Sequence, residues 1–161
     1  MSEHIAVAFV CLGNICRSPM AEQVFRARLA ESPAAGHVSV RSGGTSGWHI
    51  GEEMDRRSAL TLLRRGYRAE HSASQFTAED FDEVDLVLAM DLANLEHLRA
   101  IAPTDADREK VRLFRSFDPK APERAEVPDP YYGGPQGFEV VLQMVEAAAD
   151  GLLRHVTDEL A

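Results

Sequence analysis

A cysteine and an arginine with five residues between them stand in a segment that links two different hydrophobic patterns. Cys11 follows a continuous apolar run, and Arg17 precedes Ser18 and Pro19, where helical spacing begins. A turn between a buried strand and a helix N-terminus points several backbone N–H groups at one position, and the helix dipole there favours negative charge. Such a turn and the guanidinium of Arg17 also favour the thiolate of Cys11. The segment therefore predicts a phosphate-binding loop with Cys11 as its nucleophile.

The residues between Cys11 and Arg17 would hold the phosphate. A phosphate monoester carries about two negative charges near neutral pH, so the site must stabilise charge on the phosphoryl oxygens. Backbone N–H groups of the loop can do this, while Arg17 can contact two oxygens at once. Cys11 would attack phosphorus in line and form a phosphocysteine, without a metal or other cofactor. The predicted phosphate-binding residues are Leu12, Gly13, Asn14, Ile15, Cys16 and Ser18.

The leaving oxygen needs a proton from a carboxylic acid on the opposite side of the phosphorus. The same carboxylate would then act as a base on the water that hydrolyses the phosphocysteine. Two Asp-Pro steps, at Asp118 and Asp129, lie in the proline-rich segment 115–135. Because Asp-Pro also begins ordinary turns, the residues alone do not choose between the two.

Cys11 also has a structural interpretation, as a buried side chain, and a metal-binding one. Free cysteines are often small buried residues at strand ends, and a Cys-x5-Arg spacing by itself occurs by chance. The predicted strand–loop–helix context makes the longer motif specific. A zinc site formed by Cys11 and Cys16 is a weak alternative, since no further cysteine or histidine pair follows at ligand spacing.

Strands alternate with helices along the sequence. Apolar runs predict buried strands over residues 5–10 and 85–90, and weaker or shorter patterns predict strands over 38–41 and 111–114. Periodicity predicts helices over 19–32, 54–65, 92–101 and 137–160 and a helical turn at 77–81, with loops at 42–51 and 115–135. Ser18 is the expected N-cap of the first helix, and Asp91 is the expected N-cap of the helix over 92–101. The pattern is typical of a doubly wound α/β fold, here one domain over residues 1–161 in which helices flank a four-stranded parallel sheet.

Composition narrows the classes of partner and location. The chain has 161 residues and a net charge of −9, which argues against nucleic acid as a partner. Local N–H groups and one arginine can still bind an anion in an acidic protein. No segment approaches the ~20 apolar residues of a membrane span, and the first residues lack the features of a signal peptide. Two cysteines make no disulfide framework, so we expect a cytoplasmic location without membrane association.

Two segments resemble a known family. Residues 10–22, VCLGNICRSPMAE, are similar to the signature of low-molecular-weight protein-tyrosine phosphatases, and residues 129–133, DPYYG, are similar to their acid loop. The resemblance extends over essentially the whole chain, with intermediate matches at residues 42–45 and at Met90-Asp91, and implies a flavodoxin-like fold of the phosphotyrosine phosphatase I type. It selects Asp129 as the general acid. It implies phosphotyrosine-containing proteins and small aryl phosphates as substrates.

The resemblance also implies supporting roles in the loop. Ser18 would hydrogen-bond the Cys11 thiolate, while Asn14, Ser42 and His71 would hold the loop in a strained shape. Without the resemblance, His71 would be an ordinary surface histidine. Cys16 could pack or contribute its backbone N–H. The family suggests a third role, reversible pairing with oxidised Cys11 that prevents further oxidation.

Aromatic residues predict the substrate cleft. Trp48 lies among glycines in a loop, and Tyr131 and Tyr132 cannot both point inward from one short turn. Aromatic walls around a deep phosphate site would stack on a phenyl ring and leave phosphoserine too short to reach Cys11. Ordinary loop packing is the alternative. In family members this tyrosine pair can be phosphorylated, so a tyrosine kinase acting on it is a hypothesis.

Three other functions fit the residues of this chain less well than phosphotyrosine hydrolysis. Arsenate reductases share this fold and loop but need further cysteines, which this chain lacks. Related phosphoarginine phosphatases tend to carry threonine where Ile15 stands. A module that captures phosphotyrosine without turnover would not need Cys11, Arg17 and Asp129 together.

Overall fold

The sheet is parallel and has Cys11 at the end of one of its central strands. A computed structural model describes residues 3–131 and 133–161. Its strands are β1 (Ile5–Cys11), β2 (Val38–Gly44), β3 (Leu86–Ala89) and β4 (Val111–Leu113), in the order β2-β1-β3-β4. Every neighbouring pair in this sheet is parallel. The predicted four-stranded parallel sheet is therefore confirmed.

Helices cover both faces of this sheet. They are α1 (Arg17–Ala30), α2 (Arg56–Arg64), α3 (Leu92–Ile101), α4 (Asp105–Lys110) and α5 (Pro135–Leu160), with 3₁₀ turns at Ala78–Glu83 and Phe114–Phe117. Alternate residues of β1 enter two separate cores, since Val7 and Phe9 pack with α1 and α5 while Ala8 and Val10 pack with α3. A strand buried on both faces reads as a continuous apolar run. The doubly wound arrangement is confirmed.

The start of α1 differs from the expected one. The helix begins at Arg17 with Cys16 at the N-cap, so the prediction of Ser18 as N-cap is wrong. The hydroxyl of Ser18 instead contacts the side chains of Cys11 and Asn14, at 2.9 and 2.8 Å. A side chain used inside the preceding loop cannot also cap the helix.

Two other boundaries differ from the sequence-based expectations, and one helix is additional. Strand β2 continues to Gly44, three residues into the segment expected to be a loop. Helix α5 begins at Pro135 rather than at residue 137. Helix α4 was not predicted; it is a short helix whose N-cap, Thr104, accepts a hydrogen bond from Asp107 N. No helix among the described residues is long and apolar enough to span a bilayer.

Candidate active site

The predicted loop lines a cavity at the carboxyl end of the sheet. Cys11 is the last residue of β1 and Arg17 is the first residue of α1. Both are only 2 % exposed, yet both border a cavity of about 150 Å³. The lining residues are Cys11, Leu12, Gly13, Ile15, Cys16, Arg17, Trp48, His49, Asp129 and Tyr131. The nucleophile candidate and the cation candidate therefore face the same space.

Surrounding segments bind the carbonyl oxygens of the loop. Thr45 N donates to Cys11 O at 2.8 Å, and Ser46 N donates to Leu12 O at 2.9 Å. Further along the loop, His71 Nε2 contacts Asn14 O at 2.6 Å. Asp55 N donates to Ile15 O at 2.7 Å. Carbonyl oxygens held outward in this way leave the loop amides able to face the cavity. A cradle of amide N–H groups at a helix N-terminus is suited to a phosphate.

Asn14 fixes the turn of the loop from inside. It is fully buried and has a φ of 58°, in the left-handed region that asparagine tolerates better than most residues. Its Nδ2 donates to Ser18 Oγ at 2.8 Å and to Ser42 Oγ at 3.0 Å. Its Oδ1 accepts from Ser74 N at 2.9 Å. Ser42 and His71 thus contact the loop, and so does Ser74, which sequence analysis missed.

Ser18 is placed to stabilise charge on Cys11. Its Oγ lies 2.9 Å from Cys11 Sγ. The same oxygen accepts a hydrogen bond from Asn14 Nδ2, so its own hydrogen is available for the sulfur. The Ser18 hydroxyl can therefore donate a hydrogen bond to the Cys11 sulfur.

Arg17 is held by three groups from two parts of the chain, around residue 91 and over residues 127–129. Its Nη1 donates to Asp91 Oδ2 at 2.6 Å and to Val127 O at 3.1 Å, and its Nη2 lies 3.6 Å from Asp129 Oδ2. Burial alone would lower the pKa of Arg17, but the charge on Cys11 and the interactions with Asp91 and Asp129 raise it above its usual value. The side chain is therefore a fixed, fully charged cation.

Asp91 is a site residue that sequence analysis recognised only as a helix cap. Its Oδ1 accepts from Asn94 N at 2.8 Å at the start of α3, while its Oδ2 holds Arg17. One carboxylate thus serves both the helix and the cation. The similarity of Met90-Asp91 to the family was a usable signal for this role, but the local pattern contained none.

Asp129, not Asp118, lies at the cavity. The carboxylate of Asp129 is 39 % exposed, and its Oδ1 accepts a hydrogen bond from Tyr131 N at 3.0 Å. Asp118 follows the second 3₁₀ turn and accepts from Lys120 N; it is absent from the residues that line the cavity, among those that the structure describes. The fold therefore separates two Asp-Pro steps that look alike in sequence.

Comparison with known proteins assigns the chain to a family. Residues 6–161 match the family model described as "Low molecular weight phosphotyrosine protein phosphatase". The chain belongs to the low-molecular-weight phosphotyrosine protein phosphatase family. This confirms the resemblance drawn from residues 10–22 and 129–133.

Relatives of this phosphatase family are similar over nearly their whole length. The low-molecular-weight protein-tyrosine-phosphatase of Streptomyces coelicolor is 52% identical over 155 residues, covering 96% of this chain and 94% of the relative. The phosphatase A of Mycobacterium tuberculosis is 41% identical and covers 100% and 97% of the two chains. A crystal structure of a tyrosine phosphatase from Entamoeba histolytica has a TM-score of 0.91 at 32% identity, covering 98% and 99%.

Exposed hydrophobic side chains surround the opening of the phosphatase cavity. Trp48 is 74 % exposed, Leu12 41 % and Tyr131 36 %, and all three line the cavity. Tyr132, the other predicted cleft residue, lies outside the described residues. Sequence analysis missed His49, which also lines the cavity and pairs through Nδ1 with Glu52 Oε2 at 3.0 Å.

The second cysteine of the phosphatase loop, Cys16, is a buried thiol. Burial, followed by the negative charge of Asp55, raises the pKa of Cys16 to about 12. Cys16 is therefore a neutral thiol at physiological pH. A neutral thiol does not compete with Cys11 as a nucleophile toward phosphorus.

Proposed function

We propose that this chain hydrolyses phosphotyrosine in proteins, and small aryl phosphates, through a phosphocysteine intermediate. The observation that carries the proposal is the convergence of Cys11, Arg17 and Asp129 on one cavity. Membership of a family of phosphotyrosine protein phosphatases supports it. In Vibrio vulnificus Wzb, a solved structure 28% identical to this chain with a TM-score of 0.81, the ligand is benzylphosphonate.

In the first step, the Cys11 thiolate attacks phosphorus and the bond to the tyrosine oxygen breaks. Loop amides from residues 12–17 and the guanidinium of Arg17 hold the phosphoryl oxygens. Asp129, protonated, donates its proton to the leaving phenolate. The products are phosphocysteine at Cys11 and a free tyrosine hydroxyl.

In the second step, water attacks the phosphocysteine. Asp129, now ionised, accepts a proton from the water, and the sulfur of Cys11 leaves as a thiolate. The Ser18 hydroxyl, 2.9 Å from this sulfur, stabilises the departing thiolate. The enzyme returns to its starting state with inorganic phosphate bound.

The depth and rim of the cavity favour an aryl ester. Cys11 is 2 % exposed, so the phosphorus must reach a nearly buried sulfur. A phenyl ring spans this depth and meets Trp48 and Tyr131 at the opening, whereas the single methylene of phosphoserine does not. Ile15, 9 % exposed in the loop, favours a phenyl ester over phosphoarginine.

A matched set of substrates tests this function. We expect hydrolysis of p-nitrophenyl phosphate and of a phosphotyrosine peptide. Peptides of the same sequence with phosphoserine or phosphoarginine should react at least about 100-fold more slowly in kcat/KM, because phosphoserine is too short to place phosphorus against Cys11 and phosphoarginine lacks the phenyl ring that Trp48 and Tyr131 would contact. Equal rates on phosphoarginine and phosphotyrosine would contradict the proposed specificity.

Asp129→Asn should lower turnover strongly on esters with poor leaving groups. An amide cannot donate the proton, so we expect a loss of about 10²–10⁴-fold in kcat for phenyl phosphate. Asp118→Asn is the matched control, since it changes the other Asp-Pro step outside the cavity. Steady-state kinetics of both variants check the assignment. It is wrong if Asp129→Asn keeps normal turnover while Asp118→Asn loses it.

We also propose that Cys16 protects oxidised Cys11. Peroxide would oxidise the Cys11 thiolate to a sulfenic acid; Cys16 would then lose its thiol proton and attack that sulfur, forming the disulfide, and the sulfenyl hydroxyl would leave with a proton as water. Because the pKa of Cys16 is about 12, this pairing should accelerate as pH rises above neutral. After peroxide treatment, dithiothreitol should restore the wild type but not Cys16→Ser. Full recovery of Cys16→Ser would contradict the protective role.

Two finer points accompany this proposal. A cytoplasmic location fits the two free thiols, Cys11 and Cys16. A tyrosine kinase would phosphorylate the tyrosine pair at residues 131 and 132 and so change the opening of the cleft. Phosphopeptide mapping after treatment with a tyrosine kinase tests the second point, and label confined to Tyr67 would contradict it.

A further inference from the structure

We infer that Arg57 is a positioning residue that holds the segment carrying Asp129 against the phosphate-binding loop. This segment, residues 129–133, is called the acid segment below. The inference rests on the proposed function, because it assigns Arg57 an effect on proton transfer by Asp129. Arg57 does not line the cavity, so it acts through Asp129 rather than on the substrate.

One side of Arg57 is fixed to the phosphate-binding loop through Asp55. Asp55 N donates to Ile15 O at 2.7 Å, inside that loop. The carboxylate of Asp55 caps α2 by accepting from Arg57 N at 2.8 Å. It also accepts from Arg57 Nε at 3.1 Å and Nη2 at 3.0 Å. A carboxylate bound by two guanidinium nitrogens fixes the plane of the arginine.

The other side of Arg57 contacts the acid segment. Its Nη1 donates to Gly133 O at 3.3 Å. Its guanidinium carbon lies 5.4 Å from the ring centroid of Tyr131 and 4.7 Å from that of Phe138, which is fully buried in α5. Distances of this size are typical of cation–π contacts. Arg57 therefore contacts the acid segment at two of its residues and the helix that follows it.

Among the described residues of the acid segment, hydrogen bonds transmit a restraint on Tyr131 and Gly133 to Asp129. Tyr131 N donates to Asp129 Oδ1 at 3.0 Å, and Gly133 N donates to Pro130 O at 3.0 Å. These two bonds link Asp129 to the residues that Arg57 contacts. A displacement of Gly133 or Tyr131 would move the carboxylate with it.

Proton donation makes this support necessary. The ion pair between Asp129 and Arg17, at 3.6 Å, exists while Asp129 is ionised. The acid that delivers the proton is neutral, so the attraction to Arg17 weakens in the state that must be best aligned. With its side chain 39 % exposed, Asp129 has little packing to fix it. Contacts that do not depend on its charge, such as those of Arg57 to the acid segment, remain.

The test compares substrates that differ in their need for a proton. Arg57→Met keeps much of the aliphatic stem and removes the guanidinium. We expect kcat/KM for phenyl phosphate to fall about 10-fold to 100-fold. For dinitrophenyl phosphate, whose leaving group needs no proton, the fall should stay within about twofold. Arg57→Lys keeps the charge but not the planar guanidinium. It should lower kcat/KM for phenyl phosphate selectively as well, but by a smaller factor than Arg57→Met.

Two comparisons separate positioning from general damage. Arg65→Met is the matched control, because Arg65 follows the same helix and pairs with Glu139 and Glu146 of α5 rather than with the acid segment. In Arg65→Met, kcat/KM for phenyl phosphate and kcat/KM for dinitrophenyl phosphate should fall by the same factor. In an Asp129→Asn background, Arg57→Met should cause no further selective loss on phenyl phosphate, since both changes remove the same function.

The outcomes are distinguishable from failure of the proposed function. If the wild type hydrolyses neither aryl phosphate, the proposed function fails. If the wild type is active but Arg57→Met lowers both kcat/KM values equally, or adds its full effect to Asp129→Asn, the role of Arg57 is wrong. If Arg57→Met does not fold, as judged by thermal unfolding, Arg57→Lys decides by the same two criteria.

Discussion

Cys11→Ser is expected to abolish hydrolysis while the folded protein still binds phosphate. A serine hydroxyl at this position lacks the charge and nucleophilicity of a thiolate, so kcat for p-nitrophenyl phosphate should fall roughly 10⁴-fold or more. The loop amides and Arg17 would remain in place. Serine is close to cysteine in size, and Cys11 lies in a nearly buried position that accepts a small side chain.

Steady-state kinetics and calorimetry with inorganic phosphate check this expectation. Cys16→Ser is the matched control, since it makes the same replacement five residues later in the same loop. It should keep most of the kcat because the thiol of Cys16 is neutral and takes no part in transfer. If Cys16→Ser lost activity and Cys11→Ser kept it, the nucleophile would be misassigned.

Arg17→Lys should have the second largest effect. An ammonium group cannot hold two phosphoryl oxygens in the planar fashion of a guanidinium, and it cannot also reach both Asp91 and Val127 O. We expect kcat/KM for p-nitrophenyl phosphate to fall roughly 10²–10³-fold. The free energy of unfolding should also fall by about 1–3 kcal/mol, because a buried acceptor at Val127 would lose its partner.

Arg115→Lys provides a control for the loss of an arginine bound to a backbone carbonyl. Arg115 Nη1 donates to Glu126 O at 3.0 Å and lies outside the cavity lining. This variant should lower the thermal unfolding midpoint without lowering kcat/KM. Equal losses of kcat/KM in Arg115→Lys and Arg17→Lys would show that stability, not phosphate binding, governs the effect.

The phosphate-binding loop could be predicted from the sequence because its signals are local. A buried strand, a glycine, and a helix start with Arg17 lie within a dozen residues, and their geometry follows from short-range rules. The parallel sheet was predictable for a similar reason, since its central strands β1 and β3 are continuous apolar runs. The choice of Asp129 over Asp118 needed either the resemblance or the fold.

Long-range pairs explain what the sequence alone did not show. Asp91 reaches Arg17 from 74 residues away and Arg57 reaches Gly133 from 76 residues away. In each case the local pattern shows a charged residue at a helix start, as is common on many helices. Ser18 was assigned the wrong local role because its hydroxyl bonds within the loop before it. The roles of these residues depend on their tertiary contacts rather than on local helix-capping propensity.

The central claim is that Cys11 accepts the phosphoryl group in an amide-lined loop. Its most direct test is to quench the enzyme in alkaline detergent during turnover of radiolabelled p-nitrophenyl phosphate and to map the labelled peptide. We predict one covalent label, on the peptide that contains Cys11, present in Cys16→Ser and absent from Cys11→Ser. Label on another residue, or turnover without any covalent label, would contradict the account.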